Sequence, residues 1–198
     1  MEGALPQGIS LLGQILIGTS LAACAGLRAF LPLLAVGIAG KLEVLPLAQS
    51  FEWLSSWPSL IVFGVAVVAE LLADKFPLVD HALDMLQVAV KPVAGVILVT
   101  CVLTELSPLQ STVLGLILGG SAAASVHVAK SQVRLLSSAS TGGVANPLVS
   151  LAEDAAAVVG TVVSFMLPGL ILLLTAIVVL GVALVLRRAT RRGAERPV

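Results

Sequence analysis

The stretch LGQILIGTSLAACAGLR, residues 12–28, is apolar along nearly its whole length and then ends in an arginine. A second stretch, LGLILGGSAAASVHVAK at residues 114–130, follows the same pattern 102 residues later. Aligned without gaps, the two share six identities and place Arg28 opposite Lys130. We interpret the pair as the two copies of an internal duplication. The identities are Leu12/Leu114, Gly13/Gly115, Ile15/Ile117, Leu16/Leu118, Gly18/Gly120 and Ala22/Ala124.

Chance similarity is the alternative to a duplication, because Leu, Ala, Gly and Ile fill most membrane helices. Three further identities continue the same register, which favours the duplication. If each copy contains three membrane spans, the second copy is inverted relative to the first, as in many secondary transporters. The further identities are Leu33/Leu135, Leu34/Leu136 and Gly40/Gly142.

Composition predicts a membrane protein. Of the 198 residues, 58% are hydrophobic and 11% are charged, whereas a soluble domain carries about 25% charged residues. Several apolar runs approach the length of about 20 residues that crosses the hydrocarbon core of a bilayer. We therefore predict an all-α integral membrane protein that contacts membrane lipids and binds no nucleic acid. The sequence leaves open whether the protein forms a homo-oligomer.

Apolar runs and the residues that interrupt them predict about six transmembrane helices in two inverted three-helix repeats. Pro92 lies inside the third, and proline removes a backbone hydrogen bond, so we expect a kink or break near Lys91. Residues 31–50 contain an apolar stretch that is too short to cross the membrane. Whether this stretch forms a re-entrant segment is left open. The predicted spans are residues 9–30, 59–73, 77–106, 112–129, 146–167 and 170–186.

The distribution of basic residues predicts the orientation. The tail RRATRRGAERPV, which starts at residue 187, holds five of the eleven basic residues. With this tail inside, nine basic residues lie on the inner side and only Arg28 and Lys41 on the outer side, as the positive-inside rule requires. Both termini are then cytoplasmic. The predicted regions are a tail at 1–8, repeats at 9–106 and 107–187, and an Arg-rich tail at 188–198.

Two acids near the end of the second span are the first candidates for binding an ion. Glu70 follows the apolar run LIVFGVAVVA, and Asp74 lies one helical turn further on the same face. Ionisable groups inside a membrane are costly and therefore mark functional positions. Two carboxylates at this spacing can share a proton or bind a cation. The alternative is that both lie at the inner rim and reach water.

A polar stripe on the third helix is the second candidate. Asp80, Asp84, Gln87 and Lys91 follow one another at helical spacing on an otherwise apolar helix. If this helix is embedded in the membrane, the stripe lines a polar cavity in which Lys91 partly neutralises the acids. If it lies on the membrane surface, the stripe faces water.

The segment STGGVANPLVSLAED, residues 140–154, is the third candidate. Its hydroxyls, glycines and amide lead into a predicted helix start, where free N–H groups and the helix dipole favour an anion. The two acids at its end are candidates for the same site, or are ordinary partners of the helix dipole. The candidate residues are Ser140, Thr141, Asn146, Glu153 and Asp154.

Basic residues in the two duplicated stretches form the fourth set. Arg28 and Lys130 occupy equivalent positions, and Arg134 lies one turn after Lys130. His127 lies one turn before Lys130 and is either a proton relay or a hydrogen-bonded packing residue.

Catalytic and metal-binding motifs are missing from the sequence. Cys24 and Cys101 lie in apolar segments without a metal-ligand spacing, and we interpret both as packing residues. Cys24 also ends a stretch that resembles a lipoprotein cleavage site, but no basic residue precedes it. We expect no cofactor, no metal and no enzymatic activity.

Four motifs together carry a resemblance to a known family. The chain resembles the bacterial multi-pass membrane proteins grouped as domain of unknown function 4126, and the resemblance covers nearly its whole length. It implies a helical protein of the bacterial cytoplasmic membrane and supplies no functional residues. The motifs are GLRAFLPLL at 26–34, AELLADKFPLVDHALD at 69–84, KPVAG at 91–95 and STGGVANPLVSLAED at 140–154.

Taken together, the sequence favours a small secondary transporter or permease that moves a small solute or ion. Its intramembrane carboxylates would couple transport to protons or cations. One alternative is a lipid-phosphate translocase in which Arg28, Lys130 and Arg134 hold the phosphate. Another is a scaffold or accessory subunit without transport activity, whose Gly/Ala-rich faces pack against a partner helix.

Overall fold

The computed structural model describes the backbone of residues 9–73 and 77–194 and the side chains of residues 9–72 and 86–188. Within these ranges every regular element is a helix, as predicted. The α-helices are α1 Leu11–Leu27, α2 Phe30–Lys41, α3 Trp57–Ala73, α4 Pro77–Val102, α5 Pro108–Leu114, α6 Ser121–Thr141, α7 Asn146–Met166 and α8 Pro168–Ala194. A 3₁₀-helix, Gln49–Ser55, precedes α3, and a π-helical segment, Gly115–Gly120, joins α5 to α6.

Length and hydropathy of the described helices support three or four membrane spans. The helices Pro108–Thr141, Asn146–Met166 and Pro168–Arg188 are long and apolar enough to cross a bilayer. The 3₁₀-helix and α3, bent by 62° relative to each other, form a fourth if they count as one span. The apolar helices α1, α2 and Leu86–Val102 of α4 are shorter. The arrangement of six spans in two inverted repeats therefore stays a prediction.

The central helix of the bundle is α1. It contacts α4, α6, α7 and α8, and its residues Leu21, Ala22 and Ala25 are fully buried. In α8, by contrast, only 6% of an 18-residue apolar stretch is buried inside the protein, so the surface of this helix suits contact with lipid. The residue that follows α1, Arg28, is thereby placed in the interior.

The predicted first span, residues 9–30, is wrong at its C-terminal end. Arg28 leaves the helical conformation, with φ −136° and ψ 110°, so that α1 ends at Leu27. Glu70 of α3 then accepts the N–H groups of Ala29 and Phe30 at the start of α2. A side chain distant in sequence thus stabilises the break, which a span prediction based on local hydropathy could not include.

Of the predicted kink or break near Lys91, the break is wrong, because α4 continues through Pro92; the kink stays a prediction. Proline removes one helical hydrogen bond, and α4 compensates by packing along α1, α6 and the π-helical segment. This packing is close. Gly95 of α4 and Gly119 of the π-helical segment approach so tightly that a Cβ on either would overlap the carbonyl oxygen of the other.

The fourth predicted span, residues 112–129, is part of a longer helical run. Helical conformation extends over Pro108–Thr141 and begins at a capping box at Ser107. It ends at Gly142, whose left-handed φ of 62° costs a glycine no steric strain. The predicted helix start at Asn146 is confirmed.

Candidate functional site

Buried polar side chains from α1, α3, α4, α6 and α7 gather around the C-terminal end of α1. Each is at most 8% exposed, and hydrogen bonds or ion pairs link them in three groups. The first group contains Arg28, Glu70 and Gln87, the second contains Lys91 and His127, and the third contains Lys130 and Glu153. Buried charges are costly unless they are paired or perform a function. We refer to these residues as the polar cluster: Arg28, Glu70, Gln87, Lys91, His127, Lys130 and Glu153.

Glu70 lies inside the bundle and is 1% exposed, so the alternative that it reaches water at the rim is wrong. Its Oε1 accepts hydrogen bonds from the N–H of Ala29 at 3.0 Å and from Nε2 of Gln87 at 3.2 Å. Its Oε2 accepts the N–H of Phe30 at 3.4 Å. The carboxylate therefore joins α3 and α4 to the start of α2, which is a positioning role in addition to any role in ion binding.

Glu70→Gln is expected to lower the free energy of unfolding by about 2 kcal/mol, since an unmade buried hydrogen bond to a charged group costs this much. An amide offers one acceptor oxygen where the carboxylate offers two, and its NH₂ group would face the N–H of Phe30. Thermal unfolding of the purified protein in detergent measures the effect. Glu105→Gln, which changes an exposed acid, should leave stability unchanged. Equal stability of the two variants would contradict the positioning role.

Arg28 connects α1 with α7 and α3. Its Nε donates to Oδ1 of Asp154 at 2.7 Å, and Nη2 contacts the same oxygen. Nη1 donates to the backbone carbonyl of Glu70 at 2.8 Å. The Arg28 side chain is 2% exposed and that of Asp154 is 25% exposed, so the pair lies where the bundle begins to open.

Lys91 and His127 form the second group of the polar cluster. Nζ of Lys91 lies 3.1 Å from Nδ1 of His127, and Lys91 is fully buried. Lys91 therefore faces α6 from the polar stripe of α4. Lys91 is a hydrogen-bonding partner of His127, which both the proton relay and the packing interpretation require. The proton relay stays a prediction.

Glu153 forms the third group with two bases of α6. Nζ of Lys130 and Nη2 of Arg134 each lie 3.2 Å from the same oxygen, Oε2 of Glu153. The other oxygen, Oε1, is buried and has no hydrogen-bond partner among the described residues. Lys130 also donates to the carbonyl of Leu27 at 3.4 Å. The acids of α7 thus bind Arg28, which follows α1, and two bases of α6. Neither acid lies in the first turn of α7, and the helix-dipole alternative stays a prediction.

A cleft of about 530 Å³ lies between α1, α6, α7 and α8, and Lys130 and Glu153 form part of its wall. Its other lining side chains are apolar except for Cys24 and Thr175. Apolar clefts with a few convergent polar groups are the usual form of sites for small molecules. Lys130 and Glu153 are therefore members of the polar cluster that a ligand in this cleft would contact.

The hydroxyls and amide of the segment 140–154 make local hydrogen bonds, and the anion site stays a prediction. Oγ of Ser140 and Oγ1 of Thr141 donate to carbonyls of their own helix. Nδ2 of Asn146 donates to Oγ of Ser138. Ser140 and Thr141 are exposed at the end of α6, and Asn146 is half-buried at the start of α7. The ion pairs of Glu153 are with Lys130 and Arg134, and its grouping with these three residues in one site stays a prediction.

Three predicted site residues fall outside the described parts of the chain. Asp74 lies in the gap between α3 and α4, and the side chains of Asp80 and Asp84 belong to the undescribed part of α4. Their roles stay predictions. Of the stripe they belong to, Gln87 and Lys91 face the interior, which favours an embedded α4.

Two glutamines contribute hydrogen bonds to the interior: Gln87 belongs to the predicted polar stripe, whereas Gln14 is not among the predicted site residues. Gln87 donates to Glu70. Gln14 is 3% exposed and exchanges two hydrogen bonds with Thr104, which ties the start of α1 to the end of α4. The signal for both was available, because each is an amide inside an apolar helix, where a polar side chain needs a partner.

Cys24 and Cys101 are buried, in agreement with their interpretation as packing residues. Sγ of Cys24 lies 3.7 Å from Oγ of Ser164. Among the side chains described, no group of three His, Cys, Asp or Glu residues could hold a metal ion.

Fold and site together define an all-helical protein with three or four candidate membrane spans and buried ion pairs beside an apolar cleft. The chain belongs to the family described as Domain of unknown function (DUF4126), which matches residues 15–188. The matched region contains the whole polar cluster, and the resemblance noted in the sequence is confirmed. No curated protein and no solved structure matches the chain.

Proposed function

We propose that this protein is a small membrane carrier that moves a solute together with a proton. One observation carries the proposal: a buried carboxylate, Glu153, lies at the wall of the cleft with one oxygen bound to two cations and the other oxygen without a described partner. Buried polar atoms are normally hydrogen-bonded, and exceptions mark functional positions. Ionisable residues inside membrane helices mark paths for protons and substrates.

In this proposal, Glu153 is the residue that couples transport to protons, whereas the sequence pattern favoured Glu70. Glu70 is occupied by N–H donors from three positions. In contrast, a proton on Oε1 of Glu153 would neutralise the carboxylate and release Lys130 and Arg134 from their ion pairs. The two cations could then hold an anionic group of the solute, since a charge-assisted hydrogen bond to it replaces the one lost.

The charge of the third group is the same before and after loading under this scheme. Glu153 binds Lys130 and Arg134 before loading. Loading adds one proton and one monoanionic solute, whose charges cancel. The energetic cost of reorienting the site in a low-dielectric membrane therefore does not change on loading.

The proposal includes two inverted repeats. Support comes from equivalent positions in the two halves: α2 ends at Lys41 and α6 at Thr141, next to the aligned pair Gly40/Gly142. The aligned bases Arg28 and Lys130 bind adjacent acids of α7, Asp154 and Glu153. Carriers with such repeats bind solute between them and expose the site to each side alternately.

The proposal places the protein in the bacterial cytoplasmic membrane with both termini in the cytoplasm. Arg187 and Arg188 are exposed at the end of the apolar part of α8, and the sequence continues with three more arginines. This clustering is what the positive-inside rule associates with the cytoplasmic side.

A lipid-phosphate translocase is the second candidate. Lys130 supports it because it lines the cleft, and Arg134 binds Glu153, which also lines the cleft. Arg28 does not, since its guanidinium binds Asp154 and the carbonyl of Glu70. The scaffold alternative has less support, because the small-residue face around Gly119 packs against α4 of the same chain.

Flux through proteoliposomes tests the carrier proposal. Liposomes loaded with a pH-sensitive dye receive a step in acetate, octanoate, potassium or sodium outside. We expect wild-type protein to accelerate internal acidification with an organic anion, and Glu153→Gln to reduce the rate to that of empty liposomes. Glu105→Gln, which changes an exposed acid outside the cluster, is the matched control. Flux that survives in Glu153→Gln would contradict the role of this carboxylate, and no flux with any solute would contradict the carrier.

A further inference from the structure

We infer that the acyl chain of a phospholipid occupies the cleft between α1, α6, α7 and α8 and replaces protein packing along α8. This goes beyond the proposed carrier and does not depend on it. Three properties of the cleft support the lipid chain: its apolar walls, its continuity with the exposed surface of α8, and the burial of the two charged groups in its wall.

The walls of the cleft exclude water. Apart from Lys130, Glu153, Cys24 and Thr175, the cleft is lined by Ala, Gly, Val, Leu and Ile residues. Water that entered it would lose hydrogen bonds that such walls do not replace. Apolar cavities in proteins accordingly stay dry and bind apolar molecules. The occupant is therefore a hydrocarbon.

The cleft is continuous with the surface of α8. Leu174 and Val178 lie in its wall, yet they are 49% and 56% exposed, and Val159 of α7 is 60% exposed. These side chains therefore face open space rather than protein. Because α8 is an apolar candidate span that the bundle hardly covers, the medium that reaches this space is the hydrocarbon of the bilayer.

The two charged residues in the wall present little charge to the cleft. Nζ of Lys130 lies 3.2 Å from Oε2 of Glu153, and the two side chains are 3% and 9% exposed. Lys130 also donates to the carbonyl of Leu27. A ligand can therefore contact only a small part of either side chain, and the cleft recognises the chain of the lipid rather than its headgroup.

Size and energetics suit an acyl chain. A volume of about 530 Å³ lies within the range of about 300–1,000 Å³ that is typical of sites for drug-sized ligands. A chain that moves from the bilayer into the cleft is already surrounded by hydrocarbon, so the hydrophobic effect does not drive this move. The gain comes from dispersion contacts with walls that otherwise lack partner atoms.

Photoaffinity labelling tests the inference. The full-length protein is placed in phosphatidylcholine nanodiscs that contain a trace of phosphatidylcholine or phosphatidylglycerol with a diazirine in the middle of one acyl chain, and labelled residues are mapped by mass spectrometry. Ala23, Val126 and Ala129 line the cleft and are at most 8% exposed, so a lipid chain reaches them only through the cleft. We expect both probes to label these buried walls of α1 and α6 to the same extent.

Two results would overturn the inference. One is labelling confined to exposed residues outside the lining, such as Leu173 and Ile177 of α8. The other is a several-fold preference for phosphatidylglycerol at the cleft, because an anionic headgroup would then be what the protein recognises.

A pair of leucine variants separates the cleft from the outer surface. Ala156 lines the cleft, whereas Ala155 is an exposed residue of α7 outside the lining. We expect Ala156→Leu to reduce labelling of the buried walls several-fold and Ala155→Leu to leave it unchanged. Labelling of Leu173 and Ile177 should be equal in both variants, which would show that α8 is folded in each. Identical labelling of the cleft in the two variants would overturn the assignment.

Failure of this inference differs from failure of the carrier proposal. In a working carrier, a solute that binds Lys130 through the cleft would have to displace the chain. Labelling of the buried walls without flux in proteoliposomes would support the lipid chain and contradict transport. Flux without labelling of these walls would keep the carrier and overturn the lipid chain.

Discussion

Gly119→Ala is expected to destabilise the protein severely, by about 3 kcal/mol or more, or to prevent its folding. The backbones of Gly95 and Gly119 are in direct contact where α4 crosses the π-helical segment. The added Cβ would overlap the carbonyl oxygen of Gly95 and lie 2.9 Å from a methyl group of Val99. Overpacking commonly costs about 1–3 kcal/mol when side chains can adjust, and here a backbone carbonyl would have to move. Such small-residue contacts are the usual means of bringing membrane helices close together.

The measurement is the yield of monodisperse protein in detergent together with its melting temperature. Gly181→Ala is the matched control, since a Cβ at this position of α8 meets nothing within 4 Å. We expect Gly181→Ala to behave like the wild type or to be slightly more stable, because alanine favours helix. Wild-type stability of Gly119→Ala would mean that the two helices do not pack in this way.

Local signals predicted the all-helical structure and drew attention to several charged residues that the structure buries. The helix start at Asn146 followed from the neighbouring proline, and the predicted starts of the second and sixth spans lie within two residues of Trp57 and Pro168. Arg28, Lys130 and Glu153 were recognisable because each is an ionisable residue in or next to an apolar run. Such signals depend on residues close together in the sequence.

The pairing of these residues could not be predicted, because it is set by how the helices pack. Arg28 and Asp154 are 126 residues apart, and no pattern along the chain joins them. Glu70 had been grouped with Asp74 on its own helix, whereas its described contacts are with the start of α2 and with α4. The break after α1 depends on that long-range contact, so hydropathy alone extended the first span too far.

The two aligned stretches differ in structure at their charged ends. The chain leaves the helix at Arg28 but stays helical through Lys130. Arg28 is held by an acid and a backbone carbonyl, whereas Lys130 lies at the wall of the cleft. Within the proposed carrier, Arg28 would therefore belong to the framework and Lys130 would bind the solute, although the two positions are aligned in the sequence.

Arg28→Gln is expected to lower the free energy of unfolding by about 3–5 kcal/mol, the range found when one partner of a buried ion pair is removed. The change leaves the carboxylate of Asp154 without the guanidinium that contacts it, and it removes the bond from Nη1 to the carbonyl of Glu70. Since Asp154 is 25% exposed, water can solvate it in part, which places the expected value near the lower end of the range.

A double-mutant cycle separates the ion pair from the other contacts of Arg28. Thermal or chemical unfolding in detergent is compared for Arg28→Gln, Asp154→Asn and the double variant, with Arg188→Gln on the exposed face of α8 as the control. We expect the double variant to be more stable than the sum of the single losses, because an amide pair leaves no charge unpaired. It should remain less stable than the wild type, because glutamine is too short to reach the carbonyl of Glu70 as the guanidinium does. Additive losses would show that Arg28 and Asp154 do not interact, and the framework role of Arg28 would then have to rest on α3 alone.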